Sequence, residues 1–261
     1  MSLVRKSRGR LFCVLFNLRA ATRGVDARVR FDREAQLFRV RSGGYELSFK
    51  HEAQAFYACK RGIAKRTEIL GDTYFLGRID FAPDDVVVDC GANVGELKYY
   101  FTLRDLPVEY IGIEPSPLEY RCLERNVAPS ATFNVGLWDR DAELEFFVSS
   151  QMADSSLIEP PSYDAIVKVP ARRLDGLLSH DRIKLLKLEA EGAEPEAIAG
   201  CEGILDRIEY VSADLGFERG VEQTSTLAEV TNFLLARNFE LIANGRKRLT
   251  VLYRNKQIPR R

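Results

Sequence analysis

The chain has 261 residues, 46% of them hydrophobic and 29% charged, enough for one large α/β domain or two small ones with a real core. Its 38 basic residues equal its 38 acidic ones, which excludes steering of the whole molecule toward polyanions. Five cysteines without a Cys-x-x-Cys pair, and only two histidines, supply a zinc site poorly and suit free buried thiols in a reducing cytoplasm.

The even balance hides an asymmetry at the start. Residues 1–30 carry eight bases (Arg5, Lys6, Arg8, Arg10, Arg19, Arg23, Arg28, Arg30) against Asp26 alone. Within them "LFCVLFNL", residues 11–18, is too short to span a bilayer and has no small-x-small cleavage site after it. A packed N-terminal helix is the favoured reading, and peripheral contact with anionic lipid is the alternative. Three alternating runs come next, "ARVRF", "QLFRV" and "YELSF", with "SGG" between the last two, and predict a small antiparallel element over residues 27–50. Helical spacing then runs over residues 52–79, interrupted near Gly62 and Gly71.

From Asp85 the rhythm changes to apolar runs alternating with amphipathic segments. "VVVDC" precedes a helix predicted over residues 94–104, and "EYIGIE" one over 117–126. "ATFNVGL" and "ELEFFV" lead to an irregular polar segment over 149–163, then "AIVKVP" and "RRLDGLL". "IKLLKLE" precedes a helix over 194–199, and "IEYVSADL" one over 224–237. "FELIA" and "LTVLY" flank "NGRKR" as a closing hairpin. The expected fold is α/β: a doubly wound, mostly parallel sheet with an antiparallel C-terminal hairpin strand, plus a small N-terminal β/helical extension. Residues 1–80 form that extension in this reading, and 81–261 the main domain.

The chemistry is expected at the carboxyl ends of the strands, where doubly wound sheets bind ligands. "DCGANVG" sits at the first such end. Against a dinucleotide glycine fingerprint, Asn93 and Glu96 replace the second and third glycines, and Glu96 sets negative charge where a pyrophosphate would lie. S-adenosylmethionine suits the turn better, having an ammonium, a carboxylate and a ribose but no phosphate. Asp89 can pair with the ammonium, Gly91 and Gly95 allow close backbone approach, and the helix start suits the carboxylate. Glu114, closing the next strand in "IGIEP", can accept both ribose hydroxyls.

In "IKLLKLEAEGAEPEAI", Lys187, Glu189 and Glu191 share one strand face, too many charges for a covered sheet interior unless they lie at its open end or pair. Glu191 first and Glu189 second are the candidate bases, with Lys187 orienting them. Asp214, at the next strand end, could hold a substrate hydroxyl, and Arg219 an anionic group of the acceptor. Ser155 and Ser156 of "DSSL" could line the acceptor pocket. His180 precedes its strand and His51 begins a helix, so neither is placed for catalysis. Glu189, Glu191 and Asp214 together make a weaker case for a divalent ion, and no metal site is assigned.

"VVVDCGANVGE", "IGIEPSP", "FNVGLWDRDAELEFFVS", the later "SSL", "VKVPARRLD" and "LLKLEAEGAEPEAIAG", in this order, resemble the FkbM-type methyltransferases over residues 85–216. The resemblance implies a class I, Rossmann-like fold and an S-adenosylmethionine-dependent O-methyltransferase acting on a sugar, glycan or natural-product hydroxyl. It carries cofactor contact onto Asp89, Gly91, Asn93, Gly95 and Glu114, and adds Asp139 in "LWDRD" beside adenine. The family's fourth-strand pattern is Lys-Ile-Asp-x-Glu-Gly; Glu189 stands here in the aspartate's place, so its carboxylate lies one methylene further out. The competing readings are a catalytically silent S-adenosylmethionine-binding scaffold and a nucleic-acid methyltransferase. The latter is weakened because "EPPSY" departs from the amino-methylating Asn/Asp-Pro-Pro-aromatic motif.

Overall fold

A computed structural model describes residue 4 and residues 7–149 and 155–259. Arg5, Lys6 and Asp154 lie outside the described residues. The chain opens with helix α1 (Gly9–Thr22), then strands β1 (Arg28–Asp32), β2 (Leu37–Ser42) and β3 (Tyr45–Phe49) in an antiparallel sheet. Helices α2 (Glu52–Cys59) and α3 (Ile63–Thr73) come next, broken at Gly62, whose φ of 87° no helix accommodates. Gly71, by contrast, lies inside α3, where any Cβ would strike the Tyr100 ring.

The main sheet has seven strands in the order β14-β15-β11-β10-β4-β5-β6. These are β4 (Val86–Cys90), β5 (Glu109–Ile113), β6 (Ala131–Phe133), β10 (Ile183–Leu188), β11 (Ile208–Asp214), β14 (Phe239–Asn244) and β15 (Thr250–Asn255). β11, β10, β4, β5 and β6 run parallel, and β15 pairs antiparallel with β11 and β14. This is the doubly wound sheet with a closing hairpin that the apolar runs predict. β4, β10 and β11 are buried along their whole length, because helices cover both faces. The main covering helices are α4 (Lys98–Thr102), α5 (Pro117–Val127), α7 (Glu194–Ala199) and α8 (Leu227–Leu235). Strand order runs outward from β4 to β6 and then returns to β10 on β4's other side, so the topological switch lies between β4 and β10.

Three local expectations give way. The helix predicted over 94–104 shrinks to α4, because Asn93 (φ 51°) and Gly95 (φ 82°) are left-handed and keep the chain in turns until residue 97. The helix predicted from residue 224 starts at Leu227, because Thr224–Ser225 (β13) pairs with Phe217–Arg219 (β12) instead. "ELEFFV" and "AIVKVP" leave the main sheet: β8 (Ala142–Val148) and β9 (Ala165–Arg172) join β7 (Gly136–Leu137) in a separate three-stranded sheet. β8 alternates in burial over Ala142–Glu145, and the first four residues of β9 are exposed, the mark of a sheet with one wet face. The short helix α6 (Leu174–Leu177) returns the chain to β10.

The N-terminal elements share a core with residues beyond β4: Phe12, Phe38 and Phe56 cluster with Val94, Tyr99 and Cys122. Tyr74, Leu76 and Ile79 sit in a core with Val87 and Leu185 of the main sheet. Among the described residues no helix is long and apolar enough to cross a membrane. All five cysteines are free, and all but Cys13 are buried.

Candidate active site

Strand pairing creates the site. Lys187 lies directly opposite Asp89 in the β10–β4 register. Its Nζ is 3.0 Å from Asp89 Oδ1 and 3.2 Å from Glu189 Oε2, and it donates to the carbonyls of Cys90 (3.1 Å) and Gly91 (2.9 Å). The Tyr110 hydroxyl donates to Asp89 Oδ2 at 2.6 Å. Burial works against the Lys187 charge, but Asp89 and Glu189 outweigh it and hold the ammonium firmly protonated. Burial raises the Asp89 carboxyl above its ordinary value, with Lys187 and Tyr110 pulling the other way.

The turn after β4 closes on the next strand. The N–H groups of Gly91 and Ala92 both donate to the Ile113 carbonyl at 3.0 Å. Gly91 has φ 69°, and a Cβ there would run into the Glu189 carbonyl oxygen; at Gly95 a Cβ would overlap the Val127 and Leu123 side chains. Both glycines therefore serve close packing of strand on strand and turn on helix. The free helix start expected at this turn is absent, since α4 begins only at Lys98.

A cavity of about 330 Å³ opens beside this turn. In its wall Glu114 accepts the N–H of Asn93 on Oε2 (2.8 Å) and of Ser116 on Oε1 (2.9 Å). A carboxylate has about four acceptor sites, so two remain for a pair of hydroxyl donors such as a vicinal diol. Burial pushes the Glu114 carboxyl up to about 8, and Glu119 adds to this while the two N–H donors oppose it. Asn93 Oδ1 is buried in the wall with no hydrogen-bond partner, an acceptor aimed at a missing donor.

Also in the wall, Arg248, from the hairpin between β14 and β15, gathers three carboxylates. It reaches Glu189 (3.3 Å), Glu218 of β12 (3.6 Å) and Asp214 at the tip of β11. Burial resists the Glu189 charge, yet Lys187, the Tyr74 hydroxyl and Arg248 keep its carboxyl below the ordinary value. Glu218 differs: burial, then the charges of Asp214 and Glu189, push it up to about 7. Burial also raises Asp214, against Arg248. Glu191 is left-handed (φ 50°) and its carbonyl accepts the Ser156 hydroxyl at 2.7 Å. Glu194 fixes this bend from below, accepting the N–H groups of Ala190 (2.8 Å) and Gly192 (3.2 Å).

Of the residues singled out in the sequence, Gly91, Asn93, Glu114, Glu189 and Glu191 line the cavity, as do Ser155 and Ser156. Asp89, Lys187, Gly95, Asp139 and Asp214 are outside its lining. Asp89 is buried behind the cavity lining, where Lys187 and Tyr110 engage its two oxygens. Asp139 turns to Arg140 at 2.9 Å rather than toward the cavity. Arg219 is held by Glu196 (2.6 Å) and the Gly192 carbonyl, which uses up the charge expected to meet an acceptor. His180 pairs with Glu109 and His51 with Glu119.

Sequence reasoning missed several contributors. Gln54, Tyr57 and Arg66 come from the N-terminal helices and wall the cavity, with Arg66 gripping Glu96 at 2.8 Å and 3.0 Å. Glu218 and Arg248 meet only through folding, and "NGRKR" signalled a turn rather than a site. The acid in "GFERG" beside Arg219 was the one sign of Glu218 in the sequence.

The family model of the methyltransferase FkbM domain matches residues 89–241. The 2-O-methyltransferase NoeI of Sinorhizobium fredii is 25% identical over 184 residues, covering 62% of this chain and 74% of NoeI. Methyltransferase 1 of Beauveria bassiana is 26% identical over 186 residues, covering 60% and 75%. Among solved structures, a SAM-dependent methyltransferase from Aquifex aeolicus aligns at 10% identity and TM-score 0.43, covering 73% of this chain and 96% of that one.

Proposed function

Because the chain belongs to the FkbM methyltransferase family, it is an S-adenosylmethionine-dependent methyltransferase, and we propose that its acceptor is a hydroxyl of a sugar, glycan or natural product. The observation that carries the proposal is one cavity whose wall combines Asn93 and Glu114 with Glu189, Glu191 and Glu218. The activity for which NoeI is named, 2-O-methyl transfer, supports oxygen as the acceptor atom. Of the glutamates in the lining, Glu96 is paired with Arg66 and Glu189 with Lys187 and Arg248, while burial pushes Glu114 and Glu218 toward the neutral form, a wall suited to hydrogen-bonding an uncharged hydroxyl acceptor.

The residues fit an adenosyl cofactor: Glu114 has two acceptor sites left for a ribose diol, and the orphaned Asn93 Oδ1 needs a donor. When bound, the cofactor supplies a methyl group activated by its sulfonium. Glu114 then orients the nucleoside. Asp89 acts through Lys187, fixing it so that it holds Glu189 ionised. Glu191 and Glu218 flank the acceptor hydroxyl, and Glu218 takes its proton, because its carboxyl titrates near neutral pH while Glu189 is held charged. This shifts the base from Glu191, the sequence's first choice, to a neighbour on β12. Residues 1–80 act as an extension whose Gln54, Tyr57 and Arg66 close the cavity, and residues 81–261 form the transferase domain.

The test is a turnover assay that tracks S-adenosylhomocysteine release over a panel of hydroxylated acceptors. Methylation of a neutral sugar-type hydroxyl is expected. Turnover confined to phosphorylated or nucleic-acid acceptors would exclude the proposal.

A further inference from the structure

The N-terminal helix α1 is apolar on both sides. Phe12, Phe16 and Ala20 face inward, with Phe12 against Phe38 (5.4 Å between ring centroids) and Phe16 against Phe56 (6.4 Å). On the other side Leu11, Val14 and Leu18 are 58%, 62% and 60% exposed. Their spacing of three and four residues puts them in one stripe, which the half-buried Leu15 widens. A row of exposed apolar side chains on one helix face is a candidate contact surface.

Charge selects the cover. At about 100° per residue, the exposed Arg10 flanks the stripe on one side, whereas Arg19, on the other, turns inward to the Lys60 carbonyl (3.3 Å) and the Phe56 ring (5.4 Å). Arg8 precedes the helix, Arg23 comes just after it, and α1 itself contains no acid. A second copy docking by this face would bring two arginine rims together, which like-charge repulsion opposes. An anionic lipid surface matches both features: acyl chains take the leucines, and headgroups take the arginines. The helix has 14 residues, about 21 Å, a length that lies along an interface and does not cross it.

We propose that the face of α1 formed by Leu11, Val14 and Leu18, bordered by Arg10 and with Arg8 and Arg23 at the helix ends, is a docking surface for anionic lipid bilayers. It lies on the opposite side of α1 from the aromatic cluster that joins the helix to the rest of the protein. Docking therefore requires no rearrangement of the core.

The test is co-sedimentation of the full chain with mixed phosphatidylglycerol–phosphatidylcholine vesicles and with phosphatidylcholine vesicles alone. Binding to the mixed vesicles is expected, weakening as salt rises. The double substitution Leu11→Asp with Leu18→Asp is expected to weaken it about tenfold or more. Arg10→Glu is expected to weaken it on the anionic vesicles only. Both variants should bind S-adenosylhomocysteine as the unaltered chain does, which establishes that they are folded independently of the lipid result. Three outcomes would overturn the proposal: no sedimentation with either vesicle, equal binding to both, or a solution dimer that Leu11→Asp with Leu18→Asp dissolves.

Discussion

Lys187 and Asp89 face each other across adjacent parallel strands, Nζ 3.0 Å from Oδ1, with side chains only 4% and 1% exposed. This pair joins the turn after β4 to the strand that leads into Glu189 and Glu191 of the cavity wall. Removing one partner leaves the other charge buried, so Lys187→Met should destabilise the fold by about 3–5 kcal/mol in urea or thermal unfolding. The double variant Lys187→Met with Asp89→Asn should regain much of that loss. A Lys187→Met protein as stable as the parent would show that the pair is solvated.

Glu114 makes stability and cofactor affinity run in opposite directions with pH. Its folded carboxyl titrates near 8 against 4.5 as the ordinary value, so between those points the folded chain holds a proton the unfolded chain has lost. The contribution of Glu114 to stability is thus full at low pH and is lost as pH rises toward 8. The ionised form accepts a diol best, so S-adenosylhomocysteine affinity should rise over the upper part of the same range. Glu114→Gln should flatten both trends and weaken binding about ten- to a hundredfold. Melting curves and titration calorimetry from pH 5 to 9 read both slopes.

Glu218 should appear in the acid limb of the rate profile. With its carboxyl at about 7, kcat should climb through neutral pH, and Glu218→Gln should remove the limb and lower kcat by about 100-fold or more. Arg248 lowers the Glu218 pKa, so Arg248→Ala should move the limb to higher pH. Glu191→Gln should reduce turnover without removing the limb. If Glu191→Gln alone abolishes the limb, the base is Glu191.

Gly91 bears on the fold before it bears on the ligand. With φ at 69° and the Glu189 carbonyl in the way of any Cβ, Gly91→Ala should cost about 1–3 kcal/mol and separate β4 from the end of β10. Denaturation measured without cofactor checks this, and an unchanged midpoint would mean that the turn relaxes freely.

The sheet was legible because each central strand is a short apolar run bounded by turn residues, and the acids at the ends of β4, β5 and β10 broke that pattern visibly. Asn93 and Glu114 could be brought together from that reading, since consecutive parallel strands leave their tips adjacent. The pairing of Asp89 with Lys187 could not, because it depends on the register of a strand nearly one hundred residues later. The same limit hid the Arg248 cluster, assembled from separate segments, and the N-terminal wall of the cavity. Two left-handed residues, Asn93 and Gly95, were enough to remove the helix that periodicity predicts after β4.

The most direct measurement is calorimetric titration of the folded chain with S-adenosylhomocysteine, repeated on Glu114→Gln. Saturable one-to-one binding that the substitution weakens at pH 9 more than at pH 6 is the expected result. A folded chain that takes up no ligand, or one whose affinity is the same with glutamine at position 114, would contradict the assignment of the cavity.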